Sequence, residues 1–132
     1  MYLPHYMLRS PAWRTLSTTA RSVYLELSLL YNGSNNGRIA LSARDAAERV
    51  RCSKNTAARA FLELEQKGFI RCLQRGHFDR KSRHAAEYCL TLHACNRTGE
   101  RASKRFMSWR PDQEKFVAGV TRDTDGVTTG TV

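Results

Sequence analysis

Apolar residues first become periodic at Ala20, where Ala20, Val23, Tyr24, Leu27, Leu30 and Tyr31 fall at helical i, i+3, i+4, i+7 spacing. Ser17 stands before them as an N-cap, followed by Thr18 and Thr19. The run Asn32-Gly33-Ser34-Asn35-Asn36-Gly37 stops this helix, with Gly33 placed to take a left-handed closing conformation. Arg38-Ile39-Ala40-Leu41 then alternates, which predicts a short strand with Ile39 and Leu41 on one face. Ser42 caps a second predicted helix through Val50 that buries Ala46, Ala47 and Val50, and Ser53 caps a third over 54–67, ended by Gly68. At Phe69 the period drops to two, which predicts a strand to about Arg75. Residues 76–85 are polar and basic. Alternation returns over 86–92, with Tyr88, Leu90 and Leu92 on one face and Cys89 on the other.

Helix, short strand, helix, tight turn, helix and two-stranded hairpin is the order of a helix-turn-helix followed by a wing. Close crossing of the second and third helices calls for small residues, which Ala46, Ala47, Ala57 and Ala60 supply, while Phe61 and Leu64 fill the inner face of the third. Its outer face at the N-terminal end is then Lys54, Asn55, Thr56, Ala58 and Arg59, beside a helix terminus that itself favours anions. From Asn96 onward the periodicity is gone. Gly, Ser, Thr and charge dominate there, a composition too poor in apolar surface to offset the entropy of ordering, so a flexible tail is expected. Only the cluster Phe106, Met107 and Trp109 interrupts it, with local docking open to that cluster, and Trp109 is placed equally well on the domain or near a groove. The expected organisation is an N-terminal extension over 1–16, a domain over 17–95, and a basic, then polar tail over 96–132.

The chain of 132 residues, 41% hydrophobic, is room for one domain with a real core. No stretch approaches the roughly 18 unbroken apolar residues of a membrane span, and the N-terminus lacks the apolar region of a signal peptide, so a cytoplasmic location is expected. Charge changes the picture more. Twenty-two Lys+Arg against twelve Asp+Glu leave +10, the footprint of a protein with a polyanionic partner, though composition alone does not separate DNA, RNA and an anionic membrane. Residues 38–83 carry +7 and residues 96–110 carry +4, whereas 111–132 fall to −2. Such runs are often only a solvated face. Here they coincide with the two surfaces a winged helix turns toward DNA. Cys52, Cys72, Cys89 and Cys95 are spaced by 20, 17 and 6, which fits no common zinc framework, so reduced thiols packed as small hydrophobes are expected. The sharper alternative joins Cys72, His77, His84 and Cys89 in a tetrahedral site. Pairing the two wing strands about residue 80 places Cys72 roughly opposite Cys89. No paired carboxylates, Ser/His/Asp order or Gly-rich phosphate loop is present, so neither an enzyme, nor a cofactor, nor a metal is expected.

The stretch from Leu41-Ser42-Ala43-Arg44-Asp45-Ala46-Ala47 through Ser53-Lys54-Asn55-Thr56-Ala57 to Leu64-Glu65-Gln66-Lys67-Gly68-Phe69-Ile70 resembles the winged helix-turn-helix signature of bacterial transcriptional regulators of the multiple-antibiotic-resistance and gluconate-repressor types. The flanks, Leu3-Pro4, Ser10-Pro11-Ala12-Trp13, Asn36-Gly37-Arg38-Ile39 and Phe106-Met107-Ser108-Trp109-Arg110-Pro111, are more similar to N-terminal domains of phage and plasmid replication initiators and to small helix-turn-helix proteins of alphaproteobacterial chromosomes and mobile elements. The resemblance implies an α+β winged helix-turn-helix, with a three-helix core, a short strand and a two-stranded hairpin wing, on roughly residues 1–111. It implies a recognition helix presenting Lys54, Asn55, Thr56 and Arg59 and a wing presenting Arg75, Arg80, Lys81 and Arg83. Arg44 and Ser53 complete the expected DNA-contacting set. Arg51 stands where such turns usually carry Gly, so either a looser turn or a left-handed Arg51 under strain is expected there. The expected function is sequence-specific binding of double-stranded DNA as a transcriptional regulator. A replication-type factor of a mobile element and a winged helix gripping an acidic partner protein are the alternatives. A homodimer and a protein partner for the tail remain open.

Overall fold

The computed structural model describes residues 1–78 and 83–111. Along the chain come helices α1 (His5–Leu8), α2 (Pro11–Arg14) and α3 (Thr18–Leu30), strand β1 (Ile39–Ala40), and helices α4 (Ala43–Val50) and α5 (Lys54–Gln66). Strands β2 (Ile70–Gln74), β3 (His77–Phe78), β4 (Arg83–His84) and β5 (Glu87–Leu90) follow, and then a 3-10 turn, Arg105–Ser108. The class is mixed α+β, with an antiparallel sheet ordered β1-β5-β2 and a separate pairing of β3 with β4. Among the described residues no helix is long and apolar enough to cross a membrane.

Serines start the helices. The amide of Trp13 donates to Ser10 Oγ at 3.2 Å, Ala20 to Ser17 Oγ at 3.1 Å, Asp45 to Ser42 Oγ at 3.0 Å and Thr56 to Ser53 Oγ at 3.1 Å. Each such cap contributes about 1 kcal/mol. α3 ends otherwise than expected. Its C-cap Tyr31 is extended, Asn35 Nδ2 donates to the Leu30 carbonyl at 3.0 Å, and the left-handed Gly33 serves the loop beyond instead of closing the helix. α4 closes on Arg51, which takes the left-handed alternative at φ 65° and donates its amide to the Ala47 carbonyl.

Ala46, Ala47, Ala57 and Ala60 are buried where α4 meets α5, and Val50 is half-buried. Trp13, Tyr24 and Phe69 meet edge to face with ring centroids 5.6–5.8 Å apart, and Phe69 stacks on Phe106 at 5.0 Å. Pairs of this kind add about 0.5–1.5 kcal/mol to the burial of the rings. Both flanks therefore enter the core. Met7, Ala12, Trp13 and Leu16 come from the expected extension, and Phe106 and Trp109 from the expected tail.

Residues 96–110 are packed against the domain, contrary to the flexible tail expected there. Arg97 donates its amide to the Asn36 carbonyl, and its guanidinium reaches Gly37 O at 3.1 Å, Glu87 Oε1 at 2.8 Å and Gln74 Oε1 at 3.0 Å. Asn36 is fully buried and fully used: its Nδ2 donates to the carbonyls of Leu90, His93 and Ala94, and its Oδ1 accepts from the Leu90 amide at 2.7 Å. A segment held by scattered anchors and backbone bonds has no hydrophobic period to betray it. The remainder of the expected tail, 112–132, lies outside the described residues.

The sheet register corrects the cysteine expectation. Cys72 pairs with Tyr88, and Arg71 with Cys89, with an irregularity between Cys72 and Gln74. One residue of register moves a side chain to the other face of a sheet, so Cys72 lies on the Tyr88 side and Cys89 on the reverse. Neither a cross-strand disulfide nor a shared tetrahedral centre can join them. All four thiols are free. Burial, with Cys95 beside it, pushes the Cys89 thiol up to about 12, which leaves it unreactive.

Candidate nucleic-acid interface

The surface formed by the start of α4, the α4–α5 turn and the outer face of α5 carries most of the expected residues. Lys54, Asn55, Ala58, Arg59 and Leu62 are exposed along α5, while Ala57, Ala60, Phe61 and Leu64 face inward. Positions i, i+1, i+4, i+5 and i+8 form one side of a helix, so these five present a single strip. Arg44, on the first turn of α4, and Arg51, in the turn, are also exposed. Among the described residues, Arg44, Arg51, Lys54 and Arg59 make no ion pair.

Ser53 and Thr56 have other work. Ser53 Oγ accepts the Thr56 amide and donates to Thr56 Oγ1 at 2.8 Å, so the Ser53 hydroxyl is engaged in the cap. Thr56 Oγ1 also accepts from Arg59 Nη2 at 3.3 Å, which steadies the guanidinium on the strip. Thr56 thus acts through Arg59.

On the hairpin, Arg75 is bound to Glu65 of α5, with Nη2 donating to Oε1 at 3.1 Å. Arg75 is 70% exposed, so this contact is a solvent-screened tether between strand and helix. Of the other expected wing residues, Arg83 is placed by its backbone in β4, and Arg80 and Lys81 lie outside the described residues.

Between α4, α5 and the hairpin lies a cavity of about 540 Å³, lined among others by Arg44, Ala58, Phe61, Leu62, Arg75 and Tyr88. Its floor is the stack of Phe61 on Tyr88, with ring centroids 5.0 Å apart at 17°. Burial pushes the Tyr88 phenol upward, so it stays protonated. Leu62 and Arg51 were not singled out as contacts from the sequence. The signal for Leu62 was its place directly after Phe61, where an apolar side chain must face outward.

Trp109, placed equally on the domain or near a groove, is buried. Lys67 Nζ sits 4.8 Å from its ring centroid and donates to Thr15 O at 2.9 Å, which ties the end of α5 to both chain flanks. Comparison with protein-family models, curated proteins and solved structures gives no match for this chain.

Proposed function

We propose that the chain is a winged helix-turn-helix protein that binds double-stranded DNA sequence-specifically and acts as a transcriptional regulator. α5 enters a major groove, and the hairpin lies along the adjacent backbone. One observation carries the proposal: Arg44, Arg51, Lys54 and Arg59, exposed and without carboxylate partners among the described residues, lie on or beside the outer strip of a helix that also displays an amide, Asn55. Arginine and asparagine are the side chains that make bidentate contacts to guanine and adenine edges, and the remaining cations are suited to phosphates. The element order α3, β1, α4, α5, β2, β5 supports the winged-helix assignment, with β1 added to the edge of the β5-β2 pair.

Titration of random and selected duplexes over a range of salt tests this. Each phosphate neutralised contributes about −0.9 to the log–log slope, so Arg44, Arg51 and Lys54 on phosphates predict a slope of about −2.7, with any hairpin contact making it steeper. Selected duplexes are expected to bind more tightly than random ones at every salt concentration. A flat salt dependence, or equal affinity for both duplexes, would refute sequence-specific binding.

A further inference from the structure

Leu62 stands on the outer strip of α5, one turn beyond Ala58, and is 52% exposed. A lone exposed leucine is ordinary. This one shares a wall of the cavity with Ala58, so the two form an apolar stripe. Asn55 and Arg59 lie on the same strip, and Arg44, Arg51 and Lys54 are exposed nearby on the same surface. From Lys54 to Leu62 the strip rises about 12 Å, the width of a major groove. The partner that fits offers negative charge beside a small apolar group. A major groove does so: phosphates line its edges, and the C5 methyl of thymine is the apolar group it displays.

We propose that Ala58 and Leu62 form a contact for a thymine methyl group, so that the sequence bound by α5 includes thymine at a position where uracil is a poor substitute. The proposal rests on the DNA-binding function above and names what part of that surface recognises. Arg59 and Asn55 read polar base edges, and the stripe between and beyond them reads the methyl.

The test begins with sequences selected from random duplex. Each thymine of the preferred site is then replaced in turn by deoxyuridine, which deletes only the methyl. The wild type is expected to lose about fourfold in affinity at one thymine or two neighbouring ones, the value of one buried methyl group. In Leu62→Gln that loss is expected to disappear, with the thermal midpoint and the salt slope unchanged, because Leu62 is half-exposed and lies outside the buried core. Sequence-specific binding indifferent to every such replacement, or a preferred site without thymine, overturns the methyl contact and leaves DNA binding standing. A penalty that persists in both Leu62→Gln and Ala58→Ser assigns the methyl to other residues and overturns the proposal equally. Absence of any sequence-dependent duplex binding overturns both.

Discussion

Gly68 and Phe106 approach so closely that a Cβ added at Gly68 would lie 2.8 Å from the Phe106 amide nitrogen and 2.7 Å from the Arg105 carbonyl carbon. Gly68 is also left-handed, at φ 87°, where it turns the chain from α5 into β2. The glycine that stops α5 is therefore also the seat of the C-terminal segment. Gly33 provides the comparison, since its φ is 97° and nothing lies within 4 Å of its added Cβ. Gly33→Ala is expected to cost about 1 kcal/mol, the left-handed penalty alone. Gly68→Ala is expected to cost at least about 2 kcal/mol, because backbone must also move. Urea denaturation of the two variants measures the difference, and equal losses would mean that the segment yields freely.

Phe106 itself is fully buried against Phe69. Phe106→Ala is expected to destabilise by about 3–5 kcal/mol, as large-to-small changes of aromatic core residues do. Truncation after Asn96 removes Phe106 and Trp109 together and is expected to leave a chain with no cooperative urea transition. A truncated protein that melts like the full chain would show that 97–110 contribute nothing to the core.

The dependence on residues 97–110 marks where the sequence was legible and where it was not. Ser17, Ser42 and Ser53 announced three helix starts because a capping serine before a periodic run acts locally. For Arg51 the sequence left a looser turn and a left-handed residue both open, and the structure takes the second. The cysteine register was off by one because loop symmetry does not reveal a bulge, and Cys72 and Gln74 flank one. The docking of 96–110 could not be read from period at all. Its anchors are single residues, Arg97, Phe106 and Trp109, and their partners Asn36, Phe69 and Lys67 are distant in sequence. On the candidate interface, Lys54, Asn55 and Arg59 follow from helical geometry alone. That Ser53 caps the Thr56 amide while Thr56 Oγ1 holds Arg59 is visible only in three dimensions.

His93 gives the fold a pH dependence. Its ring stacks on Tyr31 at a centroid distance of 4.4 Å, and Tyr2 lies at 6.1 Å on a tilt. Burial, reinforced by the charge of Lys104, lowers its pKa below the usual imidazole value. The unfolded chain then takes up a proton that the folded chain resists, so stability is present above about pH 6.5 and declines as the pH falls through the folded pKa. His93→Phe keeps the stack and removes the proton site. Urea midpoints measured from about pH 8 down to about pH 5 are expected to fall less steeply in this variant than in the wild type. Parallel slopes would show that the decline belongs to other groups.

Arg59 is the side chain on the strip whose loss separates recognition from simple attraction. Its guanidinium is held by Thr56 Oγ1 at 3.3 Å, on a helix whose inner face is locked into the core by Ala57, Ala60, Phe61 and Leu64. A bidentate contact made from so fixed a position discriminates against a wrong base pair by about 1–3 kcal/mol. Arg59→Ala is therefore expected to weaken binding to the preferred duplex by about tenfold or more while changing affinity for scrambled duplex much less. Arg44→Ala is expected to act in the opposite sense, reducing affinity for both duplexes alike and lowering the magnitude of the salt slope by about 0.9, as a phosphate contact does. Thr56→Val leaves the charge of Arg59 in place but removes the hydroxyl that steadies it, so its effect is expected to fall between wild type and Arg59→Ala on preferred duplex and to vanish on scrambled duplex. Competition binding with both duplexes at one salt concentration distinguishes the three variants. If Arg59→Ala reduces affinity equally for preferred and scrambled duplexes, Arg59 holds a phosphate, and base recognition on this face passes to Asn55.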